Sequence, residues 1–117
     1  MITGTHAILY SRDAEADRAF LRDVLGLSHV DAGDGWLIFR LPPAEVGVHP
    51  AESDSHALYL TCDDIAATVA DLSARGARFT GGVTDAGWGR VTAVALPSGG
   101  SVGLYEPRHP TAFDLPE

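Results

Sequence analysis

His6-Ala7-Ile8-Leu9-Tyr10-Ser11-Arg12-Asp13 returns fifty positions later as His56-Ala57-Leu58-Tyr59-Leu60-Thr61-Cys62-Asp63. Each copy reads as a short apolar strand with a histidine at its head and a polar, Asp-bearing exit. Gly26 recurs as Gly76 at the same offset. Further on, Leu41-Pro42 recurs as Leu96-Pro97, and Val46-Gly47-Val48 as Val102-Gly103-Leu104. A repeat of this length marks a duplicated supersecondary unit. Duplication matters for function because it can bring equivalent histidines together across a pseudo-twofold axis.

Outward from the repeat, the two halves follow one order. Residues 6–10 read as a strand. Asp13 can cap a helix over 14–25, where Ala16, Ala19, Phe20, Val24 and Leu25 fall near helical spacing. Gly26 stops it, being free to take positive φ. Strands are expected over 27–31, 36–41 and 45–49, with a turn at Gly33-Asp34-Gly35 and a break at Pro42-Pro43. In the second half, a strand over 56–61 leads to Asp63 or Asp64 as cap. A helix over 65–75 follows, with Ile65, Val69 and Leu72 on one face. Gly76 ends it, and strands are expected over 77–80, 90–96 and 102–106. The plan is βαβββ twice: an α+β domain of two tandem modules forming a cupped mixed sheet. One domain is expected over 1–117, with module one about 4–51, module two about 54–107 and a tail over 108–117.

Composition narrows the function classes. The chain has 117 residues and is 45% hydrophobic, ordinary for one folded domain. Its net charge of -8, with only eight scattered basic residues, argues against nucleic acid and anionic membranes. No apolar run approaches the ~18 residues of a membrane span, and no signal segment is expected. The single cysteine, Cys62, fits a reducing cytoplasm. Beside Asp63 and Asp64 it reads as a packed residue and not as a thiolate nucleophile. No nucleophile elbow, phosphate-cradling glycine loop or dinucleotide fingerprint is present.

Three local stretches carry a resemblance to a known family. They are Ala19-Phe20-Leu21-Arg22-Asp23-Val24-Leu25-Gly26-Leu27, Trp88-Gly89-Arg90 before a strand, and the turn Leu96-Pro97-Ser98-Gly99-Gly100. With the doubled βαβββ plan, they make the chain resemble the vicinal oxygen chelate superfamily of glyoxalases, bleomycin-resistance proteins and extradiol dioxygenases. The resemblance covers His6 to about Pro107. It implies two modules forming a cup and a homodimer. In metal-dependent members it also implies a divalent ion (Zn, Mn, Fe or Ni) held by the first and last strands of each module. His6 and His56 match the two first-strand positions. The two last-strand glutamate positions fall on Gly47 and Gly103, so both expected carboxylates are glycine.

Strand side chains alternate faces. If Gly47 faces the cup, so do Glu45 and His49. If Gly103 faces it, so do Ser101 and Tyr105, and Glu106 points away unless a bulge turns the strand end. The resemblance makes His6 and His56 the candidate metal ligands, with a third donor from His49, Glu45 or Glu106. The candidate ligand-binding residues are His49, Tyr105, Trp88, Trp36 and Ser101. His6 and His56 read equally as pocket residues that hydrogen-bond a ligand or a backbone carbonyl. Trp36 also suits the core or a dimer interface, Trp88 a pocket rim or interface, and Tyr105 either ligand contact or packing. His29 and His109 are expected in solvent. Glu15, Asp17, Arg18 and Arg22 read as a solvated helix face, and Asp63 and Asp64 as caps.

Two function classes follow. One is a metal-dependent lyase, transferase or dioxygenase acting on a small molecule in the cup. The other is a metal-free dimer that sequesters an apolar or cationic small molecule. The acidic surface and the space cleared by Gly47 and Gly103 motivate the second, and the reading taken is a superfamily-type protein of unassigned chemistry in which the metal is optional.

Overall fold

The computed structural model of the chain describes residues 6–45, 47–48, 50–113 and 115. Two helices form where the caps predict them. Helix α1 (Ala14–Asp23) starts on Asp13, whose carboxylate accepts from the Ala16 N–H at 3.1 Å. Glu15 and Asp17 lie in its first turn, where the exposed N–H groups favour negative charge. Helix α2 (Ile65–Ala74) starts on Asp64, which accepts from the Ala67 N–H at 3.1 Å. At its other end the Ala77 N–H reaches back to the Leu72 carbonyl and the Gly76 N–H to that of Ser73. Gly76 sits at φ 97°, the left-handed geometry that this helix ending needs and a side chain would oppose.

Module one adds an antiparallel hairpin of β1 (His29–Asp31) and β2 (Leu37–Phe39). Module two builds a four-stranded sheet from β3 (Tyr59–Thr61), β4 (Thr84–Asp85), β5 (Gly89–Ala95) and β6 (Ser101–Pro107). The order is β3-β6-β5-β4, with β3 parallel to β6 and the other pairs antiparallel. The architecture is α+β with two helices and mixed strand pairing. Between the strands expected over 77–80 and 90–96 the chain forms a further one, β4, which pairs Thr84 with Val91 and Asp85 with Arg90. Over 77–80 the chain makes only an isolated bridge, Phe79 to Val94.

The faces of the large sheet separate by parity. Val94, Leu96, Val102 and Leu104 pack against Phe20, Ile65 and Leu72 from the helices. Ile65 and Val94 are essentially sealed from water. Each such aliphatic side chain stabilises the fold by about 1.5–3 kcal/mol through burial alone. The opposite parity, Val91, Ala93, Ser101, Gly103 and Tyr105, stands in cross-strand register on the other face. That face is the cup.

Two expectations for module one are corrected. Residues 6–10 belong to no strand ladder, and neither do Glu45, Gly47 and Val48. By the repeat these two segments should pair as β3 pairs with β6. In module two the pairing rests on a seven-residue β6 already held along its length by β5. The module-one equivalent is short and sits between Pro43 and Pro50, which lack N–H donors. The fourth strand expected over 45–49 includes Val46 and His49, which lie outside the described residues.

The second correction is Asp17. It is buried, at 4% exposure, and does not belong to a solvated face. Its carboxylate accepts from the Ser98 N–H at 3.0 Å, the Ser98 hydroxyl at 2.7 Å and the Ser11 hydroxyl at 2.6 Å. A buried carboxylate is tolerated when its oxygens are satisfied in this way. Asp17 thereby ties the module-one helix to the turn between β5 and β6.

Candidate functional site

An open cavity of about 520 Å³ lies on the cup face of the four-stranded sheet. Its walls include Leu9, His56, Tyr59, Gly82, Val91, Ala93, Ser101 and Gly103. Leu9 and Tyr59 are equivalent positions of the repeat, so both modules reach one hollow.

Register decides what stands at its centre. Tyr59 is paired with Gly103 and Thr61 with Tyr105 across the β3–β6 ladder. Leu58 and Leu60, of opposite parity, pack toward the core. A Cβ built on Gly103 would fall inside the Tyr59 ring. The ring therefore lies flat against bare backbone, where the resemblance places a metal-binding carboxylate. Gly89 serves the same end: a Cβ there would meet Tyr105 Cδ2 at 2.9 Å and the Glu106 carbonyl at 2.8 Å.

Three aromatic rings meet beside the cavity. Tyr59 and Tyr105 stand edge-to-face at 5.7 Å, Trp88 and Tyr105 at 5.1 Å, and Tyr59 and Trp88 at 6.3 Å. Contacts of this kind are worth about 0.5–1.5 kcal/mol each beyond area burial. Tyr105 is 9% exposed, but Tyr59 and Trp88 keep 46% and 43% of their surface open. Burial pushes the Tyr105 phenol above its ordinary range, with Glu45 and Tyr59 adding to the effect. Burial likewise raises the Cys62 thiol, whose sulfur lies 3.7 Å from the Tyr105 carbonyl. It is a packed group on the core side of the sheet.

The other predicted residues are dispersed. His56 is exposed and reaches the cavity from its margin, ahead of β3. Extending the β3 alternation backward puts Ala57, not His56, on the cup face. His6 is exposed and does not line the cavity. Ser101 lines it at the far end of β6. Trp36 lies away from it, exposed, with the Arg18 guanidinium 5.0 Å from its ring centre. Glu106 faces helix α2 and accepts from the Ile65 N–H at 3.0 Å. Glu45 holds the C-terminal segment, accepting from the Ala112 N–H at 2.8 Å. His49 lies outside the described residues.

His109, expected in solvent, packs on the aromatic group. Its ring centre lies 5.8 Å from that of Tyr105, and its Nε2 is 3.1 Å from the Tyr105 hydroxyl. Sequence reasoning missed both Tyr59 and His109. For Tyr59 the signal was present: a glycine on a central strand leaves room for an aromatic on the neighbouring one. For His109 there was none, because nothing local specifies where a proline-bearing tail docks.

Among the described residues the candidate donors do not converge on one point where a divalent ion could sit. Gly103 offers no donor and lies under a ring, Glu106 is committed to α2, and Glu45 to the tail. Among the described residues no three His, Cys, Asp or Glu side chains are grouped to hold a metal ion. Nor is any described helix long and apolar enough to cross a membrane.

Comparison with known proteins agrees with this architecture. A family model, the Glyoxalase/Bleomycin resistance protein/Dioxygenase superfamily, matches residues 5–107. No curated protein matches the chain. Among solved structures, it is similar to TnmS3, an antibiotic binding protein from Streptomyces sp. CB03234. The identity is 25% and the TM-score 0.63, with 92% of this chain and 99% of that one covered. A superfamily member from Sphaerobacter thermophilus DSM 20745 is 24% identical at TM-score 0.61, covering 90% and 98%. Lactoylglutathione lyase from Agrobacterium tumefaciens shares the fold at 19% identity and TM-score 0.62, covering 89% and 92%. The doubled pattern, the cupped sheet and the match over nearly the whole length agree: the chain belongs to the glyoxalase/bleomycin resistance protein/dioxygenase superfamily.

Proposed function

We propose that this protein binds and sequesters a small aromatic or cationic molecule in the cup of module two, without transforming it. One observation carries the reading. The Tyr59 ring occupies the place of the last-strand carboxylate, so the position that would hold a metal presents an aromatic face instead. Aromatic walls with a few polar groups suit small-molecule sites. The exposed faces of Tyr59 and Trp88 suit a planar or positively charged partner, and the net charge of -8 favours a cation at longer range. The likeness to an antibiotic binding protein supports the same class of function.

The test is a thermal-shift and fluorescence titration with planar aromatic cations, wild type against Tyr59→Ala, beside metal analysis of untagged protein. Stabilisation by such compounds that Tyr59→Ala abolishes is the expected result. A full load of Zn, Mn, Fe or Ni that is lost in His6→Ala and His56→Ala would overturn it in favour of a metal-dependent enzyme.

The same reading includes a second copy of the chain. Ile8, Tyr10 and Val48 are 61%, 92% and 93% exposed on the two segments without ladder partners. Exposed apolar segments with unpaired backbone invite pairing with another chain. Sedimentation equilibrium should show a dimer, and a monomer at every concentration would remove this part.

A further inference from the structure

We infer that residues 108–113 form a releasable strap that covers the Tyr105 edge of the aromatic cluster and gates it. The inference rests on the binding reading above for what the cluster receives, but its closure is visible in the geometry itself.

Four fastenings hold the strap. The Arg108 N–H donates to the Trp88 carbonyl at 2.9 Å, and the Arg108 guanidinium pairs with Asp85 at 2.6 Å. His109 stacks on Tyr105 and shares a hydrogen bond with its hydroxyl. Glu45, from module one, accepts from the Ala112 N–H at 2.8 Å. The His109 bond has a defined direction. Its Nδ1 lies 2.7 Å from the Pro110 carbonyl, which can only accept. Nδ1 therefore carries the hydrogen in the neutral ring, and Nε2 accepts from the Tyr105 hydroxyl.

Two features make this a strap and not a core element. First, it is held by single side-chain and backbone contacts and by no ladder of its own, and its one ion pair, Arg108 with Asp85, is exposed and contributes little. The strand ladders beneath are continuous and independent of it. Second, it accounts for an asymmetry in the cluster. Tyr105 is nearly sealed, but the two rings it touches are almost half open. Lifting His109 would expose the third ring and turn a two-ring face into a three-ring groove.

The experiment compares the full chain with a chain ending at Pro107 and with the double variant Glu45→Ala/His109→Ala, all carrying Trp36→Phe. Trp88 is then the single tryptophan. Circular dichroism establishes that each is folded, and acrylamide quenching reads access to the cluster without any ligand. Quenching about twofold stronger in both loosened forms is expected, since the closed population no longer protects the rings. Quenching equal to the parent in a folded variant would overturn the strap. Ethidium titration reads the gate. Binding tighter by about threefold or more in the loosened forms is expected, because apparent affinity scales with the open fraction. Equal ethidium affinity in all forms despite altered quenching would overturn the gating. If ethidium bound none of them, the binding reading would fail, and quenching alone would still decide whether the strap opens.

Discussion

The two halves of this protein start from one sequence pattern and reach different ends. Module two has a helix, four hydrogen-bonded strands and a sealed core face. Among the described residues, module one has an equally well-capped helix and a two-stranded hairpin, and those of its first and last segments join no ladder in the single chain. The helices match because capping and stop signals act within a few residues. The sheets differ because a strand depends on an edge supplied from elsewhere. Module two supplies its own, in the β5–β6 hairpin. Module one, interrupted at Pro42-Pro43 and Pro50, does not.

The comparison can be broken at the point where the modules are joined. Asp17→Ala removes the acceptor of three hydrogen bonds and strands Ser98 and Ser11. A loss of about 2–4 kcal/mol is expected, since bonds to charged groups are the strong ones. Denaturant unfolding measures it. A change below about 0.5 kcal/mol, the scale of ordinary surface substitutions, would mean that the modules do not depend on this link.

A smaller effect should separate the stability of module two from its binding role. Gly103→Ala puts a methyl where the Tyr59 ring lies, so the ring must move. A cost of about 1–3 kcal/mol is expected from overpacking, with loss of aromatic-cation binding. Unchanged unfolding and unchanged binding would show that the Tyr59–Gly103 contact is not a defining feature of the cup.

The smallest effect is electrostatic. Burial favours the neutral Tyr105 phenol, so its folded pKa lies above that of the unfolded chain. Its contribution to stability is complete below about pH 10, the unfolded phenol value, and is lost as pH rises through the folded value. Ultraviolet titration should show one tyrosine ionising later than the rest. In the chain ending at Pro107 that delay should shrink as Tyr105 becomes wetter. Three tyrosines ionising together in the intact chain would contradict the sealed ring.

The fifty-residue repeat points to two related halves, and the helix of each half is where it places one. Asp13 and Gly76 marked helix ends that the structure keeps. Along β6, Ser101, Gly103 and Tyr105 share one parity, and Glu106, of the other, accepts from the Ile65 N–H. Asp17 was misread because helical spacing reveals which side chains share a face but not what packs against that face. Tyr59 was overlooked because its importance comes from the glycine opposite, on a strand 44 residues later.

The sequence by itself determined the two helices with their caps, the β5–β6 hairpin and the superfamily. Each rests on interactions within a turn of helix, a pair of strands or a repeated pattern. Only the tertiary structure decided that the Tyr59 ring packs on Gly103, that Asp17 is interior and that the tail folds back on Tyr105. The physical reason is common to all three. Burial and ring packing depend on atoms brought together from distant parts of the chain, and no local stretch records which partner it will meet.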